Sequence, residues 1–238
     1  MALAAGITSA AAAGEPAETE PTESELGRSV AGRPIVVRVY EPTSGEADET
    51  LLVVASIHGS EPAGTPLVGE LEKWLASGPE EVARRRIAIV PIANPDGYAD
   101  RERHNQRGVD LNRNFPAGNR VDNATHGGKA LSEPESRALM RVLKPLEPDR
   151  VVSIHQPLEC IDYDGPGADL AAAMSEAIDG RLPVEKLGGR PGSMGSYVGI
   201  TLGRPIITLE LPKGVEQQSA ERLWADYGPA LVAFVRGE

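Results

Sequence analysis

Cysteine, histidine, aromatic side chains and positive charge are all in short supply in this chain of 238 residues. The single cysteine, Cys160, excludes an internal disulfide framework and any zinc site built from several thiolates. Only four histidines are present, His58, His104, His126 and His155, so imidazole chemistry must draw on a very short list. Aromatic residues make up 4% of the chain, too few for a platform that stacks single-stranded nucleic acid. Lys and Arg number 24 against 35 Asp and Glu, for a net charge of −11. That balance argues against nucleic acid and against anionic membrane surfaces as partners. The apolar stretch at residues 1–13 is too short to span a bilayer.

The charge is uneven. Nine acids and three bases fall in residues 1–50, so most of the negative charge belongs to that end. Residues 1–25 read as a tail: first MALAAGITSAAAA, then an acidic, Pro-rich stretch with no large apolar side chain to offset its ordering entropy. Two readings of residues 1–13 stay open. They end in small residues, as a truncated signal sequence would, but lack its charged start; the alternative is a plain Ala-rich beginning. Cytoplasmic and exported locations therefore both stand.

Residues 26–238 read as one domain. Pro34–Tyr40 (PIVVRVY) is β-branched, and Leu51–Ile57 (LLVVASI) is a near-continuous apolar run, the mark of a strand buried on both faces. Ile87–Ile92 is another buried strand, and Val151–His155 and Pro205–Leu211 are shorter ones. Thr65–Ala76 carries Leu67, Val68, Leu71, Trp74 and Leu75 on one helical face. Ser132 with Glu135 three residues on predicts a capping box opening a helix over Glu133–Leu143. Asp169–Ile178 and Ala220–Val235 read as further helices. Strands alternating with helices predict a single α/β domain, with a twisted, mostly parallel mixed sheet flanked by helices.

Three strands end in polar residues: His58, His155 and Glu210. Open α/β sheets bind ligands at the carboxyl edge of their strands, so this convergence marks a site. His58-Gly-Ser-Glu61 places an imidazole and a carboxylate in one tight loop, and both are good zinc ligands. With His155 they make a set of two histidines and one glutamate, with a fourth position left for water, as in catalytic rather than structural zinc. On these residues alone, ordinary hydrogen-bonded strand-end histidines are an equal reading.

The segment Asn94–Pro116 (NPDGYADRERHNQRGVDLNRNFP) tips the balance. With HGSE, NPDG, GVDLNRNFP, SIH and TLEL in this order, the chain resembles the zinc carboxypeptidase superfamily, whose type is carboxypeptidase A. The resemblance runs from about Gly27 to Val235, and the RxNxxGVDLNRNFP, SEPES and PGSMGSY segments are most similar to the murein peptide amidase branch. Carboxypeptidase A is itself the standard example of a His/His/Glu zinc set, so the resemblance and the ligand rule are one argument rather than two.

The resemblance implies one Zn2+ per chain on His58, Glu61 and His155, and Glu210 as the general base that later passes its proton to the leaving amine. It implies that Asn112 and Arg113 grip a free carboxylate of the substrate. The planar guanidinium fork explains Arg rather than Lys there. Arg103 aligns with the arginine that stabilises the tetrahedral oxyanion, with Arg101 and Arg107 as competitors. Arg101–Arg113 holds four arginines against Glu102 and Asp110, a basic strip in an acidic protein that suits a carboxylate substrate. One departure is plain: no Tyr stands around Glu185–Arg190, where the mobile tyrosine of carboxypeptidase A is expected, and Tyr197 in PGSMGSY does not inherit that role.

The expected partner is a small peptide or muropeptide, with no nucleic acid and no membrane. Murein peptide amidases cut between γ-D-glutamate and diaminopimelate, whose side chain ends in an ammonium–carboxylate centre. Asp162 and Asp164 are candidates for the ammonium, and Gly192, Ser193, Gly195 and Ser196 for the carboxylate; solvated loop aspartates are the alternative. An ordinary metallocarboxypeptidase, a deacylase resembling succinylglutamate desuccinylase and aspartoacylase, and a non-catalytic peptide-binding relative are the competing functions. Cys160 reads as a buried small apolar residue rather than a nucleophile, and His104 and His126 have no assigned role.

Overall fold

The computed structural model describes residues 19–238. The Ala-rich start and residues 14–18 of the acidic stretch lie outside them. The strand β1 (Thr22–Arg28) nevertheless begins inside the segment expected to be tail. It pairs antiparallel with β2 (Pro34–Tyr40), so the folded part starts by Thr22 rather than Leu26.

The middle of the sheet follows from the apolar runs. The strands β3 (Glu49–Ala55), β4 (Arg85–Val90), β5 (Arg150–His155) and β7 (Ile206–Glu210) lie side by side and parallel, in the order β4-β3-β5-β7. Along β3, Leu51, Val53 and Ala55 enter one core and Leu52 and Val54 the other. That period of two is why the whole run is apolar. The edges are antiparallel: β1 and β2 beyond β4, and β6 (Cys160–Asp164) beyond β7.

Helices cover both faces. The first core packs under α1 (Gly64–Ser77), α4 (Ala168–Glu176) and α5 (Ala220–Arg236), with Leu67, Leu71, Met174, Leu231 and Phe234 facing the sheet. The second lies under α3 (Pro134–Leu146), through Leu139, Val142 and Leu143. Truncating one of these fully buried leucines to alanine typically costs about 2–5 kcal/mol. A short helix, α2 (Pro95–Asp100), opens at NPDG, where the Asn94 side chain accepts the Gly97 N–H.

The expected capping box does not form. Glu133, not Ser132, is the residue before α3, and no side chain caps the helix. Glu135 instead accepts from the Val30 N–H and the Asn105 amide, while Ser132 donates to Glu133. The two glutamates of SEPES are therefore braces for neighbouring loops. Among the described residues, no helix is long and apolar enough to cross a membrane.

Candidate active site

Parallel pairing brings the polar strand ends together. His155 and Glu210 are direct neighbours in the β5–β7 register, and His58 follows β3 on the other side of β5. Ser56 (φ 50°) turns the chain out of β3 and into the His58 loop. His58, Glu61 and His155 are all buried, and their ligand atoms lie within 4.8 Å of one another. Glu61 Oε1 meets His58 Nδ1 at 2.9 Å, and Glu61 Oε2 meets His155 Nδ1 at 2.8 Å. The two Nδ1 atoms face each other at 3.2 Å.

The far side of each ring explains this orientation. His58 Nε2 lies 3.0 Å from Asp110 Oδ1, and His155 Nε2 lies 3.0 Å from Ser153 Oγ. A carboxylate acceptor fixes the proton on His58 Nε2, which leaves the Nδ1 lone pair turned inward. Two lone pairs and a carboxylate aimed at one point form an electron-rich cluster suited to zinc, at bond lengths of about 2.0–2.2 Å. Burial raises the pKa of Glu61, but the neighbouring His155 and His58 outweigh it and hold the carboxyl well below the usual range. Asp110 is held low in the same way, with burial outweighed by His58 and Arg103.

Asp110 and Ser153 were not singled out from the sequence as site residues. In the sequence Asp110 stands only as one of two acids within the basic strip Arg101–Arg113. Its function depends on a loop folding back across the sheet, which no local pattern records. Ser153 did leave a signal, since residues i and i+2 of a strand share a face.

The segment Arg101–Arg113 forms the second wall. Arg103 reaches Glu61 Oε1 at 2.9 Å and Asp110 Oδ2 at 3.1 Å, which places it, rather than Arg101 or Arg107, at the cluster. Arg107 reaches outward to Glu133 instead, and Arg101 lies over the ring of Tyr98. Asn105 anchors the loop, accepting the Arg107 and Val109 N–H groups and donating to Glu133 and Glu135. Glycine is demanded at two contacts. A Cβ on Gly59 would run into the backbone of Gly97, and one on Gly97 would lie 2.7 Å from the carbonyl oxygens of Glu102 and His104.

Glu210 lines the same cavity, accepting the Leu158 N–H at 3.3 Å. Burial pushes its carboxyl above the ordinary glutamate value, only partly countered by His155. Asn112 accepts the Met194 N–H at 2.9 Å and sits 3.5 Å from His155 Nε2. Arg113 is half-buried and has no carboxylate partner among the described residues; its side chain donates only to the Asn112 carbonyl.

A cavity of about 240 Å³ continues from the cluster between β6, β7 and the loop 187–195. Asp162, Asp164, Arg190, Ser193 and Thr208 line it. Ser196 does not: it is buried behind the wall, donating to the Arg190 carbonyl and accepting from Asn119. Asp162 accepts the Leu187 N–H at 2.8 Å, and burial raises the carboxyls of both Asp162 and Asp164. Neither aspartate is a solvated loop residue. Both lie on β6 with their carboxylates inside. Tyr197 stacks on Phe115 in the core, with ring centroids 6.3 Å apart. Cys160 is fully buried, and its thiol is pushed up to about 11 by burial, which fits an inert residue. His104 and His126 lie off the cavity wall.

The comparisons with known proteins agree with this geometry. The zinc carboxypeptidase family pattern (Peptidase_M14) matches residues 15–163. Murein peptide amidase A of Escherichia coli K12 is 31% identical over 202 residues, spanning 77% of this chain and 80% of that protein. The crystal structure of murein-tripeptide amidase MpaA from Escherichia coli O157 superposes with a TM-score of 0.72 at 30% identity, covering 97% of this chain and 98% of that one. Carboxypeptidase A from Helicoverpa armigera gives a TM-score of 0.74 at 20% identity, covering 92% of this chain and 69% of that one, a likeness of fold. With well over half of its length inside the family pattern, this protein belongs to the zinc carboxypeptidase family and is an enzyme of the zinc-peptidase type.

Proposed function

We propose that the protein hydrolyses the amide between γ-linked D-glutamate and diaminopimelate in murein peptides, at a bond next to a free carboxylate. The reading rests on one observation above all: the cavity beside the metal cluster carries charged groups of both signs that the protein itself leaves without charged partners. Arg113 on one wall and Asp164 on the other lack an ion pair among the described residues. A hydrophobic or purely cationic terminal residue does not match that lining. The murein peptide amidases it resembles along most of its length support the same substrate.

His58, Glu61 and His155 would hold the zinc ion, which supplies a Lewis acid and lowers the pKa of a water to about 7. The rest is the work of this chain's own side chains. Arg113 and Asn112 hold the carboxylate beside the scissile amide, which fixes the bond one residue from the chain end. Glu210, with its carboxyl raised by burial, takes a proton from the attacking water and passes it to the leaving amine. Arg103 donates to the oxygen on which negative charge develops.

The test is a substrate panel read by product mass spectrometry, with and without chelator. L-Ala-γ-D-Glu-diaminopimelate should be cleaved to L-Ala-D-Glu and diaminopimelate, and chelation should abolish this. Cleavage of N-acyl amino acids instead would make the enzyme a deacylase, and cleavage of ordinary α-linked peptides alone would make it a general carboxypeptidase. Zinc should bind at about one per chain, as the three-ligand set requires, and His58→Ala should remove it.

A further inference from the structure

The side-chain end of the cavity has its own charge pattern. Asp162 and Asp164 are two positions apart on β6 and share its inward face. The register pairs Cys160 with Glu210 and Asp162 with Thr208. At about 3.3 Å per residue, Asp162 therefore lies about 7 Å, and Asp164 about 13 Å, along the strand from the catalytic carboxylate. Asp164 is 7% exposed, lines the cavity and accepts no hydrogen bond among the described residues.

Opposite them stands Arg190. Its backbone is fixed by two contacts: its carbonyl accepts from the Ser193 N–H and from the Ser196 hydroxyl. Its guanidinium forms no ion pair among the described residues. It is still close enough for its charge to lower the carboxyl of Asp162 and the pKa of Arg113. The cavity thus offers two guanidinium groups without carboxylate partners, half-buried Arg113 and exposed Arg190, and a carboxylate pair that forms no ion pair among the described residues, although the charge of Lys186 reaches both and that of Arg190 reaches Asp162. A terminal residue with one free carboxylate needs only Arg113. A terminal lysine would satisfy Arg113 and the aspartates and leave Arg190 over. Only a residue with a second carboxylate next to its side-chain ammonium satisfies all four.

We infer that Arg190 is a specificity-determining residue, binding the carboxylate at the far end of the substrate's side chain while Asp162 and Asp164 bind the ammonium beside it. This inference rests on the substrate reading above and adds to it a consequence. The enzyme should discriminate between a free side-chain carboxylate and the same group as a carboxamide, because the amide removes the charge that Arg190 meets while leaving size and ammonium unchanged.

The experiment compares kcat/KM for three γ-D-glutamyl tripeptides, ending in diaminopimelate, in diaminopimelate amidated at its side-chain carboxylate, and in lysine. The wild-type enzyme should favour the free acid over the carboxamide by roughly 10- to 100-fold, the range of one charge-assisted hydrogen-bonded pair. In Arg190→Gln that ratio should collapse towards one, and in Arg190→Lys it should recover in part. Because the readout is a ratio between substrates on one enzyme preparation, partial loss of folding cancels from it. A wild-type ratio near one, or an Arg190→Gln ratio equal to wild type, overturns the role of Arg190 while the substrate reading survives. Absence of cleavage of all three peptides by the wild-type enzyme overturns both.

Discussion

Around His58 the charged groups Glu61, Asp110 and Arg103 are all partnered, whereas on the Asp162 side the protein leaves charges open. Glu61 is shared among His58, His155, Arg103 and the Gln156 N–H, and Asp110 between His58, Arg103 and the Asn112 N–H. Asp162, by contrast, accepts from backbone, Asp164 accepts nothing, and Arg113 and Arg190 have no carboxylate. The first side is held in one geometry by its own hydrogen bonds, as a metal-ligand set must be. On the second, the cost of burying Asp164 and half-burying Arg113 without charged partners is borne by the free protein and relieved when a ligand of complementary charge arrives, while exposed Arg190 carries no such cost.

That contrast can be broken most forcefully at the base. Glu210→Gln should keep zinc, since Glu210 is not a ligand, and lose about 10²- to 10⁴-fold in kcat. Zinc content and steady-state kinetics on one preparation check this; activity within a few-fold of wild type would remove Glu210 from the mechanism. On the paired side, Asp110→Asn takes away the carboxylate that orients His58. Zinc affinity, measured against a competing chelator, should fall by about 10- to 100-fold.

The open side should respond with the opposite sign in stability. Burial raises the Asp164 carboxyl, so the folded state binds that proton more tightly than the unfolded chain does. The resulting penalty is absent below the ordinary aspartate pKa of about 4 and grows as pH rises through the elevated folded value. Asp164→Asn should therefore raise Tm at neutral pH, by about 2–4 °C for each kcal/mol recovered, with the gain shrinking as pH approaches 4. The same variant should lose selectivity for substrates with a side-chain ammonium. A fall in Tm at pH 7 would mean that Asp164 is paired in the free enzyme and would erase the contrast between the two sides.

How much of this was legible in the sequence follows the same division. The cluster residues His58 and His155 were readable because buried parallel strands announce themselves as apolar runs, and the polar residue that ends such a run stands at the sheet's carboxyl edge. β1 was hidden because it is an exposed edge strand, whose TESELGR sequence has the composition of a tail. β6 was hidden for a different reason: its inward face carries Asp162 and Asp164, so the usual alternation is reversed by function. Asp110 and Arg190 were the least readable. Each acquires its role from a loop held by contacts far away in sequence, such as Asn105 with Glu133 and Asn119 with the Gly189 carbonyl. SEPES carried a capping signal, yet Glu135 found stronger tertiary partners in Val30 and Asn105.

The backbone contact between Gly59 and Gly97 has a wider consequence. The loop that carries His58 and Glu61 and the turn that launches Arg103 and Asp110 meet with no room for a single methyl group. The two halves of the catalytic apparatus are therefore registered against one another like plates on a shared dowel, and neither can drift without carrying the other. The far end of the cavity, where loop 187–195 meets β6, lies outside this contact. The spacing between the His58 cluster and Arg103 is thereby set as one indivisible part.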